Sequence, residues 1–134
     1  MTAKEYLSQA YRLDDRINSK IQQVDSLNLL ATKCTSTISG MPKNPSSPVS
    51  RMEDVIVKII SLQEEINQDI DELVDLKAEM VQVIKAVDNT EFQTILEKRY
   101  LCFMSWEQIA VDLGYNVRHL YRLHEEALEK VVVP

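Results

Sequence analysis

Residues 105–128 read SWEQIAVDLGYNVRHLYRLHEEAL. Ser105 followed three residues later by Gln108 is a capping box, so a helix opens there and carries Ile109, Ala110 and Leu113 on one face. Gly114 follows the last of these, where a left-handed residue ends a helix at least cost. Asn116 can cap a final helix, leaving about three residues between the two. Two helices joined by a tight glycine turn form the helix-turn-helix geometry, whose second helix is free to enter a major groove.

The second helix divides in a way that an ordinary helical hairpin need not. Val117, Leu120, Leu123, Ala127, Leu128 and Val131 can pack inward, while Arg118, His119, Tyr121 and Arg122 cluster near its N-terminal half. Acidic residues begin only at Glu125. This local basic tip stands out because 15 Lys and Arg against 21 Asp and Glu give a net charge of -6. Such a chain cannot coat nucleic acid by bulk attraction, so DNA contact must be local.

Upstream of this block, Thr90 with Gln93 gives another capping pattern for a short helix to about Leu101, with Phe92, Ile95, Leu96 and Tyr100 on its apolar face. Trp106, directly after its cap serine, is expected to pack against Phe103 or Tyr100. Lys98 and Arg99 are candidates for gripping a nucleic-acid backbone, or else ordinary solvated surface.

The first two thirds of the chain holds only one cluster of helix breakers, residues 39–50 (SGMPKNPSSPVS). Thr2 and Glu5 form a capping box, with Met1 and Tyr6 at the staple positions, so a helix is predicted almost from the first residue. Ala3, Tyr6, Ala10, Leu13, Ile17, Lys20, Val24, Leu27, Ala31, Cys34 and Ile38 recur at alternating steps of three and four. Beyond the loop, Met52, Val55, Ile59, Leu62, Ile66, Asp69, Leu73, Leu76, Met80, Val83 and Val87 repeat the rhythm.

Each helix spans about 37 residues, roughly 55 Å, and the loop suits an antiparallel return. Folding about the loop brings together the two charged intruders, Lys20 and Asp69, as a pair that fixes register; otherwise Lys20 snorkels to water and Asp69 sits at a seam edge. Ile56, Ile60, Ile70, Val74, Val81 and Ile84 widen the second stripe, so that helix needs covering on more than one side. Self-association as a dimer or higher homo-oligomer is the simplest answer.

The expected architecture is therefore all-α: a long, coiled-coil-like antiparallel helical hairpin over residues 1–88 with its loop at 39–50, then a DNA-binding helix-turn-helix module over residues 90–134. Cys34 and Cys102 lack a paired motif and are expected to be buried thiols. His119 and His124 lie about 140° apart around a helix and cannot easily share a metal. No nucleophile-base pair, phosphate loop or metal cluster is evident, so neither catalysis nor a cofactor is expected. No stretch approaches the length of a spanning helix and no signal-type apolar core follows Lys4 and Glu5, so a cytoplasmic protein without membrane contact is expected.

The stretch RYLCFMSWEQIAVDLGYNVRHLYRLHEEAL, residues 99–128, resembles region 4 of bacterial sigma factors, matching its pattern without a gap at Arg99, Tyr100, Ser105, Trp106, Glu107, Ile109, Ala110, Leu113, Gly114, Ala127 and Leu128. The block from Ser105 more closely resembles the small RinA/ArpU-like regulators of phages and prophages of Gram-positive bacteria. That resemblance implies a transcription regulator, an activator by expectation, that binds promoter DNA. Asn116, Arg118, His119, Tyr121 and Arg122 would face DNA, and RNA polymerase would be a further contact. Ile109, Ala110, Leu113, Leu120 and Leu128 would hold the two helices together. Two other classes compete: a small-terminase-like DNA-packaging adaptor, and a structural coiled-coil protein that does not bind DNA.

Overall fold

A computed structural model describes residues 1–38 and 48–134, and every regular element among them is helical. Helix α1 is Ala3–Ile38, α2 Pro48–Lys85, α3 Thr90–Leu96, α4 Trp106–Leu113 and α5 Val117–Lys130; a π-helical turn, Glu97–Leu101, continues α3. The all-α fold expected from the periodicity is the one the chain forms. Residues 39–47 of the expected loop lie outside the described residues, as do the side chains of Cys34 and Ile38; α2 already begins at Pro48, inside the segment read as loop. A proline at a first helical position gives up only an N–H that has no partner there.

The chain divides into two compact units, Asp15–Asp71 and Met1–Asp14 together with Glu72–Pro134. This differs from a division at residues 88–90, because the first turns of α1 and the end of α2 belong with the C-terminal helices. A three-four stripe states which face of a helix is covered but not what covers it, so a change of partner along one continuous helix leaves no mark in the periodicity.

In the unit Asp15–Asp71, Ile17, Val24, Ile66 and Asp69 are buried, and Leu27, Leu62, Ile59, Val55 and Met52 are partly covered. The two helices run antiparallel: Lys20 meets Asp69, while Gln23, Ser26 and Leu27, further along α1, share a groove with Lys58, Ser61 and Leu62, earlier in α2. The Lys20 ammonium donates to Asp69 Oδ2 at 2.6 Å and lies 3.9 Å from Glu65 Oε1. With side chains only 12% and 10% exposed, Lys20 and Asp69 are a buried pair, not a lysine snorkelling to water beside a seam-edge carboxylate. Outside this seam, Ile21, Leu29, Leu30, Ile56, Val57, Ile60 and Ile70 remain exposed.

The other unit has a single core. Leu7, Ala10, Met80, Ile84, Val87, Ile95, Leu96, Ile109, Leu120 and Ala127 are almost entirely buried in one cluster. The helix that delivers Leu7 starts as read: Thr2 N–H donates to Glu5 Oε2 at 3.2 Å and Glu5 N–H to Thr2 Oγ1 at 3.1 Å. Tyr6 closes the contact with α2 by donating to Glu79 Oε1 at 2.7 Å.

The start of α3 differs from the reading. Asn89 is its cap, in extended conformation with Oδ1 accepting from Glu91 N–H at 2.9 Å and Phe92 N–H at 3.2 Å, whereas Thr90 is already helical and cannot fill that role. Gln93 turns back instead, donating to Val87 O at 2.6 Å and Lys85 O at 3.3 Å, so that carbonyls left over at the end of α2 find partners.

Candidate nucleic-acid interface

Local chemistry fixes both ends of the α4–turn–α5 segment. Ser105 Oγ accepts from Gln108 N–H at 3.2 Å, opening α4. The reciprocal half of that capping box does not form, because Gln108 Nε2 donates to Asp112 Oδ1 at 2.9 Å. Gly114 ends the helix in the left-handed region, φ 71° and ψ 28°, with its N–H aimed back at the Ala110 and Val111 carbonyls. Asn116 Oδ1 accepts from His119 N–H at 2.8 Å and opens α5. Only Gly114, Tyr115 and Asn116 separate the helices.

Burial then sorts α5. Leu120, Leu123, His124 and Ala127 face the core, while Arg118, Tyr121 and Arg122 are exposed. Arg118 and Arg122, four apart, share one face of the helix. Arg122 donates to His119 Nδ1 at 2.9 Å, and the edge of the His119 imidazole meets the Tyr115 ring at 5.0 Å. Asn116, Arg118, His119 and Arg122 line a concavity of about 300 Å³ with no carboxylate among them. Five of the residues singled out from the sequence, Asn116, Arg118, His119, Tyr121 and Arg122, are thus collected at one end of α5. The hydrogen-bonding capacity of Asn116 is partly taken by its cap.

A family model described as "Protein of unknown function (DUF1492)" matches residues 46–131, well over half of the chain. The chain belongs to the DUF1492 family. The match takes in α2 and the whole of α3, the π turn, α4 and α5, and it omits α1. No curated protein and no solved structure matched.

Lys98 and Arg99 of this DUF1492 chain are not ordinary solvated side chains. Lys98 lies 3.6 Å from Asp112 Oδ2, which ties it to α4. Arg99 donates to Met104 O at 2.9 Å, and its guanidinium stands 4.6 Å over the Trp106 ring. Trp106 is partly buried, as read, but its neighbours differ: it meets His124 at 4.5 Å and Tyr121 at 5.4 Å between centroids. Phe103 turns the other way, edge-on to Tyr11 at 5.5 Å and 4.5 Å from the Lys77 ammonium. Cys102 is exposed, not buried, because it caps the end of the π turn instead of lying on a helix face; the side chain of Cys34 lies outside the described residues.

Sequence reasoning missed His124. It sits four residues after Leu120 and three before Ala127, on the buried stripe, and that spacing was the available signal. Its Nε2 lies 2.6 Å from the Tyr100 hydroxyl. Burial above all, then the positive charges of Lys4 and Arg99, lower its pKa to about 4, so the imidazole is neutral, and in the tautomer protonated at Nδ1 its Nε2 accepts a hydrogen bond from the Tyr100 hydroxyl. Burial raises Tyr100 in turn, to about 12.

The folded value of His124 lies below its ordinary one, so the unfolded chain takes up the proton first. Stability is undiminished above about pH 6.5 and falls as pH drops toward 4. The upper part of that window lies above ordinary carboxylate titration. Urea unfolding at stepped pH should therefore show a slope between about pH 6.5 and 5 that His124→Gln largely removes; an unchanged slope would mean that His124 is not held neutral.

No group of three or more potential metal ligands occurs among the described residues, and no described helix is long and apolar enough to cross a membrane.

Proposed function

We propose that this chain is a transcription regulator of phage or prophage type that binds double-stranded promoter DNA, with the N-terminal half of α5 in the major groove. The observation that carries the reading is the exposed pair Arg118 and Arg122, presented by a helix that Asn116 caps two residues after Gly114 closes α4. The likeness of residues 99–128 to sigma factor region 4, and of the block from Ser105 to the RinA/ArpU-like regulators, supports promoter binding and activation in contact with RNA polymerase. The chain acts by binding, without a catalytic step or a cofactor, in the cytoplasm.

Two arginines on a chain of net charge -6 make a weak DNA ligand by themselves. Pairing two copies would join their interfaces and raise the effective affinity. The exposed apolar side chains of the unit Asp15–Asp71 offer a surface for such a homo-oligomer. The same surface favours a second reading, a small-terminase-like packaging adaptor. Mass measured in solution separates the two, because an adaptor assembles into a ring of many subunits and a regulator stops at a small oligomer.

Footprinting tests the reading. A salt-sensitive footprint on a defined promoter is expected, with Arg118→Ala and Arg122→Ala each weakening it by about 1 to 3 kcal/mol. The absence of any duplex binding at low salt would leave a coiled-coil interaction protein in its place.

A further inference from the structure

The N-terminal turns of α1 were read only as packing, yet they contribute to a second basic feature. Ser8, Tyr11, Arg12, Arg99, Tyr100 and Phe103 line a cavity of about 250 Å³. Two arginines, Arg12 from α1 and Arg99 from the π turn, share that lining with no carboxylate, on a chain that carries more acidic than basic residues. Lys4 lies on the same face of α1, at the i, i+4, i+8 spacing with Ser8 and Arg12. Its charge, like that of Arg99, reaches His124.

The backbone around Arg99 is unusual. Cys102 N–H donates to Glu97 O at 3.0 Å, the five-residue spacing of a π turn, and Phe103 takes a positive φ of 57°. Both features are costly for ordinary residues and recur where a side chain must be aimed for function. Here they accompany an Arg99 held by the Met104 carbonyl and stacked on Trp106. A guanidinium so fixed loses little freedom when it takes an anion.

The cavity also has a fixed relation to the exposed face of α5, because Trp106 touches both Arg99 and Tyr121. The two contacts put the Arg99 guanidinium no more than about 10 Å from the Tyr121 ring, within the roughly 12 Å width of a major groove. One duplex can therefore reach both.

Resting on the DNA-binding reading above, we infer that Arg12 and Arg99, with Lys4 and Ser8 beside them, form a clamp for a backbone phosphate of the bound duplex, so that α1 supplies a sequence-independent arm of the interface. Phosphate contacts position a protein without reading bases. Arg12 is therefore a positioning residue whose loss shows in salt dependence and not in sequence preference.

The test uses the full chain and two duplexes, one of mixed sequence and one carrying the selected site, titrated across a range of salt. Arg12→Ala is expected to flatten the plot of log affinity against log salt by about 0.9, and to weaken both duplexes about equally, by roughly eightfold at 0.1 M salt. Arg12→Lys should restore most of the slope. Arg118→Ala should instead weaken the selected duplex more than the mixed one. If Arg12→Ala keeps the wild-type slope while Arg118→Ala weakens binding, the clamp is wrong and the DNA reading stands. If the wild-type chain binds neither duplex at low salt, the DNA reading fails and takes the clamp with it. Inorganic phosphate at constant ionic strength should leave the duplex isotherms in place. Displacement by phosphate that requires Arg12 would make the cavity a free-anion site and overturn its assignment to DNA.

Discussion

Leu7→Ala should destabilise the chain by about 3 kcal/mol, within the range for truncating a fully buried leucine, and the loss should appear at the helix-turn-helix. Leu7 is entirely buried in the cluster that also holds Ile95, Leu96, Ile109 and Leu120, so its removal opens a void in the core to which α3, α4 and α5 contribute. Trp106 is the chain's only tryptophan and sits against His124 and Tyr121, which makes its fluorescence a reporter of that region. Urea unfolding followed by this signal should shift to lower urea in Leu7→Ala. Val57→Ala, at a side chain 64% exposed in the other unit, should stay within about 0.5 kcal/mol of wild type. For the same reason residues 90–134 alone should not unfold cooperatively, since that fragment lacks Leu7, Ala10, Met80, Ile84 and Val87. A Trp106 transition that ignores Leu7→Ala would show that the helix-turn-helix folds independently of α1.

Lys20→Leu should cost about 3 kcal/mol, because it leaves the Asp69 carboxylate buried beside Glu65 with no cation. Asp69→Leu should cost less, as the Lys20 ammonium still has Glu65 at 3.9 Å and a stem long enough to reach toward water. The double variant Lys20→Leu with Asp69→Leu should recover most of the stability, since well-packed apolar side chains can replace a buried ion pair at little net cost. Alignment is what it should lose, because a seam without its one charged layer accepts shifted pairings. Denaturation of the four chains of the cycle gives the coupling energy, and cross-linking of cysteines placed across α1 and α2 gives the alignment. Strict additivity with unchanged cross-links would remove the pair from any role in register.

What could be read from the sequence was whatever acts over a few residues or repeats along one helix. The Thr2–Glu5 box, the Ser105 and Asn116 caps and the left-handed Gly114 depend on groups within four positions, and each stands where its residues placed it. The paired intruders Lys20 and Asp69 were visible because two apolar stripes each had a single charged step. Features that depend on distant partners were not visible in this way. The transfer of residues 1–14 to the C-terminal core, the burial of Leu7 one step off the seam, and the Trp106–His124 contact all require knowing which helix lies opposite. The π turn left no compositional signal at all, and it alters the surroundings of Arg99 and exposes Cys102. Asn89 was passed over because Thr90 and Gln93 also fit a capping pattern, a tie that only the backbone conformation breaks. At the candidate site, the exposed cluster on α5 was legible from charge and spacing, whereas the hold on Arg99 and the neighbouring Arg12 was not.

The DNA-binding reading is tested most directly by incubating the full chain with sheared DNA of its source genome, recovering the bound fragments at several salt concentrations and sequencing them. The expected result is a small set of fragments sharing one motif upstream of transcribed genes, retained at moderate salt by the wild-type chain and lost with Arg118→Ala and Arg122→Ala. Recovery of no DNA even at low salt, or of fragments without a common motif and with no dependence on those two arginines, would contradict it.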